Sequence, residues 1–95
     1  VKLARFSKRA DSDIEDIATF TIERWGSEQA RAYVFDLRKM CRDLAALPDM
    51  GRSASKSRLM WRRFEHRSHV ILYAITTDGI TVQRILHKAQ LLPKR

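Results

Sequence analysis

The stretch that decides the fold is His69-Val70-Ile71-Leu72-Tyr73-Ala74-Ile75, a histidine followed by six uninterrupted apolar residues. It is too short for a globular helix and rich in β-branched and aromatic types, so it reads as a central β-strand covered on at least one face. Thr76-Thr77-Asp78-Gly79 comes next. Its Asp-Gly pair suits the positive backbone angles of a tight hairpin turn, which makes residues 80–87 the returning strand. A hairpin this apolar needs cover, and the first half of the chain supplies it.

Upstream, residues 1–6 alternate weakly and read as a short edge strand. Ser7 then acts as an N-cap for a helix, with Asp11 and Asp13 near the positive end of its dipole. Ala10, Ile14, Ile17, Ala18, Thr21 and Trp25 recur at three- and four-residue intervals, which predicts about four turns ended by Gly26. Ser27 reads as the cap of a second helix. Its apolar stripe runs from Ala30 through Tyr33, Val34, Leu37, Met40, Cys41 and Leu44 to Leu47, and Pro48 stops it. With only Gly26-Ser27 between them, the two helices must fold back as an antiparallel hairpin. Trp25 and Tyr33 lie in phase with these stripes and read as core residues rather than as stacking platforms for bases.

Downstream, residues 49–58 are rich in serine and basic side chains and read as a loop. Residues 59–65 alternate again, with Met60, Arg62 and Phe64 set against Trp61, Arg63 and Glu65. His66-Arg67-Ser68 turns the chain into the central strand. On the last strand Ile80 and Val82 alternate with Thr81 and Gln83, while the face taken by Ile85 and Leu86 stays open. Residues 88–95 form a short tail. The sum is an α+β fold of order β-α-α-β-β-β: a helical hairpin across a small, mainly antiparallel sheet, in one domain over residues 1–95.

Charge divides unevenly along the chain. Residues 1–51 hold nine Lys/Arg and nine Asp/Glu, whereas residues 52–95 hold ten against two, so the whole net charge of +8 belongs to the sheet half. One-sided excess of this kind points to a polyanionic or acidic partner. The single cysteine, Cys41, excludes an internal disulfide and reads as a small buried hydrophobe. No apolar run approaches the roughly 20 residues of a membrane span, and no signal-peptide pattern opens the chain. A soluble, cytoplasmic setting is therefore expected, and Val at position 1 makes a trimmed start the expectation.

No Gly-rich phosphate loop, glycine-flanked serine or metal-spaced Cys/His set is present, so neither a cofactor nor a metal site is expected. What remains is Arg62, Arg63, Arg67, His69, Arg84, His87 and Lys88, on or beside the sheet. Two chemistries fit such a basic surface. In a metal-free ribonuclease, histidines move the protons of 2′-hydroxyl attack while cations steady the phosphorane. In a binding module the same side chains dock on an acidic protein or a phosphate backbone.

Several short motifs add a resemblance. They are Ala10-Asp11 with Ile14-Glu15-Asp16-Ile17, Glu23-Arg24-Trp25-Gly26 with Gln29-Ala30, and Leu47-Pro48 with Gly51-Arg52. Ser68-His69-Val70-Ile71-Leu72-Tyr73 and Arg84-Ile85-Leu86-His87 complete the series. In this order and spacing, over nearly the whole chain, they resemble the ParE toxins of the RelE/ParE superfamily, the toxic halves of bacterial type II toxin–antitoxin pairs. The resemblance implies a non-enzymatic toxin that binds DNA gyrase and is neutralised by a ParD-type antitoxin in a heteromeric complex. Antitoxin contact is then expected on the first helix at Ile14, Ile17, Ala18 and Thr21, and target contact at Arg62, Arg63, Arg84 and Lys88. Direct sequence-specific DNA binding is not expected, since no helix-turn-helix is evident.

The rival within the superfamily is the RelE-like branch, which cleaves messenger RNA on the ribosome. Its members usually carry an arginine early in the central strand, a second basic residue soon after the last strand, and a tyrosine or similar group in the tail. Here the central strand opens with His69, Ala89 follows Lys88, and residues 88–95 contain neither Tyr nor His. His87 does match a position used in some RNA-cleaving relatives. On that reading His69, Arg84 and His87 are the catalytic candidates.

Overall fold

The computed structural model describes residues 2–54 and 60–91. In chain order the elements are β1 (Leu3–Phe6), α1 (Lys8–Trp25), α2 (Ser27–Ala46), a 3-10 turn (Pro48–Met50), β2 (Arg52–Ser53), β3 (Arg62–His66), β4 (His69–Thr76), β5 (Gly79–His87) and a final 3-10 turn (Lys88–Leu91). The sheet runs β1-β5-β4-β3-β2, with β1 parallel to β5 and every other neighbouring pair antiparallel. The expected β-α-α-β-β-β arrangement is present, with one addition. The segment read as a loop contributes β2, a two-residue strand paired with β3 at the sheet edge. The rest of that segment, at 55–58, the strand start expected at Leu59 and the tail beyond Leu91 lie outside the described residues.

Ser7 caps α1 and also joins it to the sheet. Its hydroxyl accepts from the Ala10 amide at 3.0 Å and donates to the Gln83 carbonyl at 2.8 Å. Ser27 does not cap α2; it is that helix's first residue. Gly26 serves both helices, donating its N–H to the carbonyl of Ile22 and accepting at its own carbonyl from Ala30. A one-residue link leaves Ser27 no room to lie outside the helix.

The core forms where the helical hairpin crosses the sheet. Ile14 and Ile17 of α1 and Leu37, Cys41 and Leu44 of α2 pack on Ile71, Tyr73, Ile80, Val82 and Ile85. Each such aliphatic side chain contributes roughly 1.5–3 kcal/mol on burial. Burial pushes the Cys41 thiol up to about 12, so it stays protonated. The buried positions of α1 stop at Thr21, whose hydroxyl donates to the Ile17 carbonyl at 2.6 Å. One turn further on, Trp25 is 67% exposed rather than core. Leu47, just before the proline, is exposed as well.

A β-bulge settles the face that the alternation of the last strand leaves open. Tyr73 pairs with Val82 and Leu72 with Arg84, so Gln83 is the extra residue on β5. That insertion lets Val82 and Ile85, three positions apart, both reach the helix-covered core. At the hairpin the turn residues are Thr77 and Asp78, and Gly79 is already in β5 with φ +147°. A Cβ there would lie 1.9 Å from the Leu3 carbonyl oxygen, so only glycine lets β1 pair at this point. Arg5 reaches back to Asp78 at 2.8 Å across the same junction. Among the described residues no helix is long and apolar enough to cross a membrane.

Candidate functional site

Strand register builds the most distinctive cluster of side chains. His66 ends β3 directly opposite His69, and His69 opens β4 directly opposite His87, so three adjacent strands each place a histidine on one row. The connection from β3 to β4 is a two-residue turn, Arg67-Ser68, with Arg67 in the left-handed region at φ +55°. The Lys88 amide donates to the Ser68 carbonyl and holds the end of β5 against that turn.

Tyr33 of α2 closes over the row. Its phenolic oxygen shares a 2.6 Å hydrogen bond with Nδ1 of His69, and its ring lies against both His66 and His69. The His69 and His87 rings meet edge to face, with centroids 5.4 Å apart. Burial, reinforced by the neighbouring His87 and His66, lowers the pKa of His69 to about 4. Burial and Arg67 lower that of His66 as well. The Nε2 atom of His66 is buried and has no hydrogen-bond partner among the described residues. His87 accepts at Nδ1 from the Ala89 amide.

Beside this row lies a cleft of two joined lobes, about 460 and 280 Å³, that share Phe20, His69 and His87. Asp13 and Arg84 wall the larger lobe; Trp25, Tyr33 and Arg67 wall the smaller. The structure therefore brings the nuclease candidates His69, Arg84 and His87 around one cavity. Arg84, however, turns both Nε and Nη2 onto the carboxylate of Asp13, at 2.9 and 3.1 Å. Among the described residues no three His, Cys, Asp or Glu side chains converge as metal ligands.

The basic residues do not form one patch. Arg62 and Arg63 are consecutive on β3 and pair with Tyr73 and Leu72, so they lie on opposite faces of the sheet. Arg62 donates to the Gly51 carbonyl, while Arg63 reaches Glu65 at 3.5 Å. Lys88 is exposed beyond β5. On α1, Ile14, Ile17 and Thr21 are buried in the core, yet Ile17 and Thr21 also reach the walls of the cleft, and Ala18 borders a separate surface groove. That groove, of about 320 Å³, runs between the helices and is lined by Ala18, Ile22, Ala30 and Val34, with Arg31 at its rim. Sequence reasoning places Arg67 on the basic surface and finds no role for Phe20; of the two aromatics it assigns to the core, Tyr33 packs against the core as well as walling the cleft, while Trp25 is exposed. Phe20 lies off the apolar stripe of α1 beside Asp16, a large aromatic out of phase, and that was the available signal.

The family described as ParE toxin of type II toxin-antitoxin system, parDE, matches residues 4–92. Toxin ParE1 of Caulobacter vibrioides is 36% identical over 91 residues, 94% of this chain and 92% of the relative. Toxin ParE1 of Mycobacterium tuberculosis is 35% identical over 83 residues, 86% and 85% of the two chains. Among solved structures, the chromosomal ParDE TA system from P. aeruginosa superposes with a TM-score of 0.75 at 17% identity, covering 90% of this chain and 95% of that one. The E. coli DinJ-YafQ complex gives 0.56 at 14% identity, over 98% and 100%. These superpositions speak for the fold, and the sequence matches for the family. By the sequence matches the chain belongs to the ParE toxin family of type II toxin–antitoxin systems.

Proposed function

We propose that this toxin inhibits DNA gyrase by binding it, without catalysing a reaction, and is held inactive in the cytoplasm by a ParD-type antitoxin. The observation that carries the reading is the Arg84–Asp13 pair. A phosphorane-stabilising cation must be free to meet the phosphate, and both of these guanidinium nitrogens are already engaged by a carboxylate. His69, with its pKa near 4 and its Nδ1 held by Tyr33, is likewise far from the near-neutral pKa of an effective general base. The strongly basic half suits a large acidic or DNA-bearing target, with Arg62, Arg63 and Lys88 as contact candidates; Arg84 supports them from within the fold.

The antitoxin is assigned to the groove between α1 and α2. Ala18, Ile22, Ala30 and Val34 offer an apolar seat there, and Arg31 offers a cation for an acidic segment. A ribonuclease reading draws on one observation, the close approach of His69 and His87 in the cleft. Growth inhibition by variants separates the two. His87→Ala leaves toxicity intact and Arg63→Glu with Lys88→Glu reduces it if binding is the mechanism. Toxicity abolished by His87→Ala in folded protein, and indifferent to the charge reversals, would replace binding with cleavage.

A further inference from the structure

The cleft beside the histidine row holds a feature that the toxin reading leaves unused. Phe20 and Trp25 overhang it from α1, 57% and 67% exposed, two large aromatic side chains set together on one concave surface rather than scattered singly. The two residues are about 1.4 helical turns apart on α1, and both border the lobe that ends at His69 and His87. Among the described residues Trp25 makes no ring contact with another aromatic side chain, and most of its surface is open to solvent.

Cations surround these rings. Arg24 lies over Phe20 at 5.3 Å, and Arg67 over Tyr33 at 5.8 Å, within the walls of the smaller lobe. Arg67 meets Asp36 only at 3.3 Å, with both side chains largely in solvent, so that pair is readily exchanged for a stronger anion. Lys88 follows His87 directly. On the acidic side, Asp13 is neutralised by Arg84, which leaves Asp16 as the lining carboxylate without an ion pair among the described residues.

Exposed aromatic rings on one lobe, with guanidinium groups beside them and a concave floor beneath, form the combination that holds an unpaired base and its phosphate. We propose that the Phe20–Trp25 cleft binds single-stranded nucleic acid, an unpaired base stacking on Trp25 and Phe20 while its flanking phosphates meet Arg67, Arg24 and Lys88. The contact is independent of base sequence, because stacking needs only a π-face. It also does not depend on gyrase being the target. Duplex DNA is excluded from the cleft, since its bases are already stacked on one another.

The test is fluorescence anisotropy of the full chain, free of antitoxin, with labelled oligothymidylate and oligouridylate of roughly twelve nucleotides and a duplex of equal length. Both single strands are expected to bind alike and the duplex more weakly at physiological salt. Trp25→Ala and Phe20→Ala, both at exposed positions, each weaken single-strand binding by about tenfold or more. Arg67→Ala lowers the slope of log affinity against log salt by about one. Equal competition by duplex, binding confined to oligouridylate, or full affinity in the two aromatic variants would each overturn the proposal. So would a tenfold loss of antitoxin affinity in those variants with no oligonucleotide bound, which would assign the cleft to the antitoxin.

Discussion

Asp13 and Arg84, 71 positions apart in sequence, are joined by a two-pronged ion pair at 2.9 and 3.1 Å, and the same carboxylate accepts from the Ile85 amide at 2.8 Å. The pair stands where β1 has ended and β5 would otherwise present an open edge, so one side chain of α1 takes over from a missing strand. Asp13→Ala removes all three bonds and leaves a part-buried guanidinium without its partner. A loss of about 3 kcal/mol is expected in urea unfolding. Asp13→Asn, which can still accept from Ile85, should fall between the two. A change below about 0.5 kcal/mol in Asp13→Ala would contradict this role.

The histidine row makes stability depend on pH. The pKa of His69 falls from its ordinary 6.5 to about 4 in the fold, so between these values the unfolded chain takes up a proton that the folded chain refuses. Its contribution is complete above pH 6.5 and is lost as pH drops toward 4. Because the ring is only half-buried, the loss is on the order of 1–2 kcal/mol rather than the full value of the shift. His66 shifts in the same direction and adds to it. Unfolding at pH 7.5 and at pH 5 checks the slope, and His69→Gln should flatten it. An equal slope in that variant would place the titrating group elsewhere.

Tyr33→Phe keeps the ring against His66 and His69 but removes the phenol that bonds Nδ1. The expected cost is about 1 kcal/mol. An unchanged urea midpoint would show that water replaces the phenol without penalty.

Gly79→Ala tests the junction of β1 with the hairpin. Positive φ and a Cβ 1.9 Å from the Leu3 carbonyl oxygen combine, and neither backbone can yield without breaking their parallel pairing. Destabilisation of about 3 kcal/mol or more follows, with faster amide exchange in β1. Protection of β1 equal to that of the native chain would contradict it.

These relationships differ in how far the residues announce them. The apolar run at 70–75 makes β4 plain, and Ser7 followed by a three-and-four stripe makes α1 plain, because each signal is local. The bulge at Gln83 has no such signature: a single inserted residue changes the face of everything after it, and only pairing with β4 reveals it. Trp25 was misleading because periodicity tells which face a residue takes and not how far the sheet extends beneath the helix. Asp13 looked like a residue placed for the helix dipole, and its tie to Arg84 is a tertiary fact. The alignment of His66, His69 and His87 depends on two strand registers at once. One of those is set by a turn in which arginine holds a left-handed conformation, usually left to glycine or asparagine.

The central claim, inhibition of gyrase by binding, is met most directly by two assays on the same toxin freed from antitoxin: plasmid supercoiling by gyrase, and messenger RNA cleavage on programmed ribosomes. Lost supercoiling or trapped gyrase–DNA breaks, with the RNA intact, is the expected result. Cleaved RNA with normal supercoiling would contradict it and make His69, Arg84 and His87 the residues to pursue.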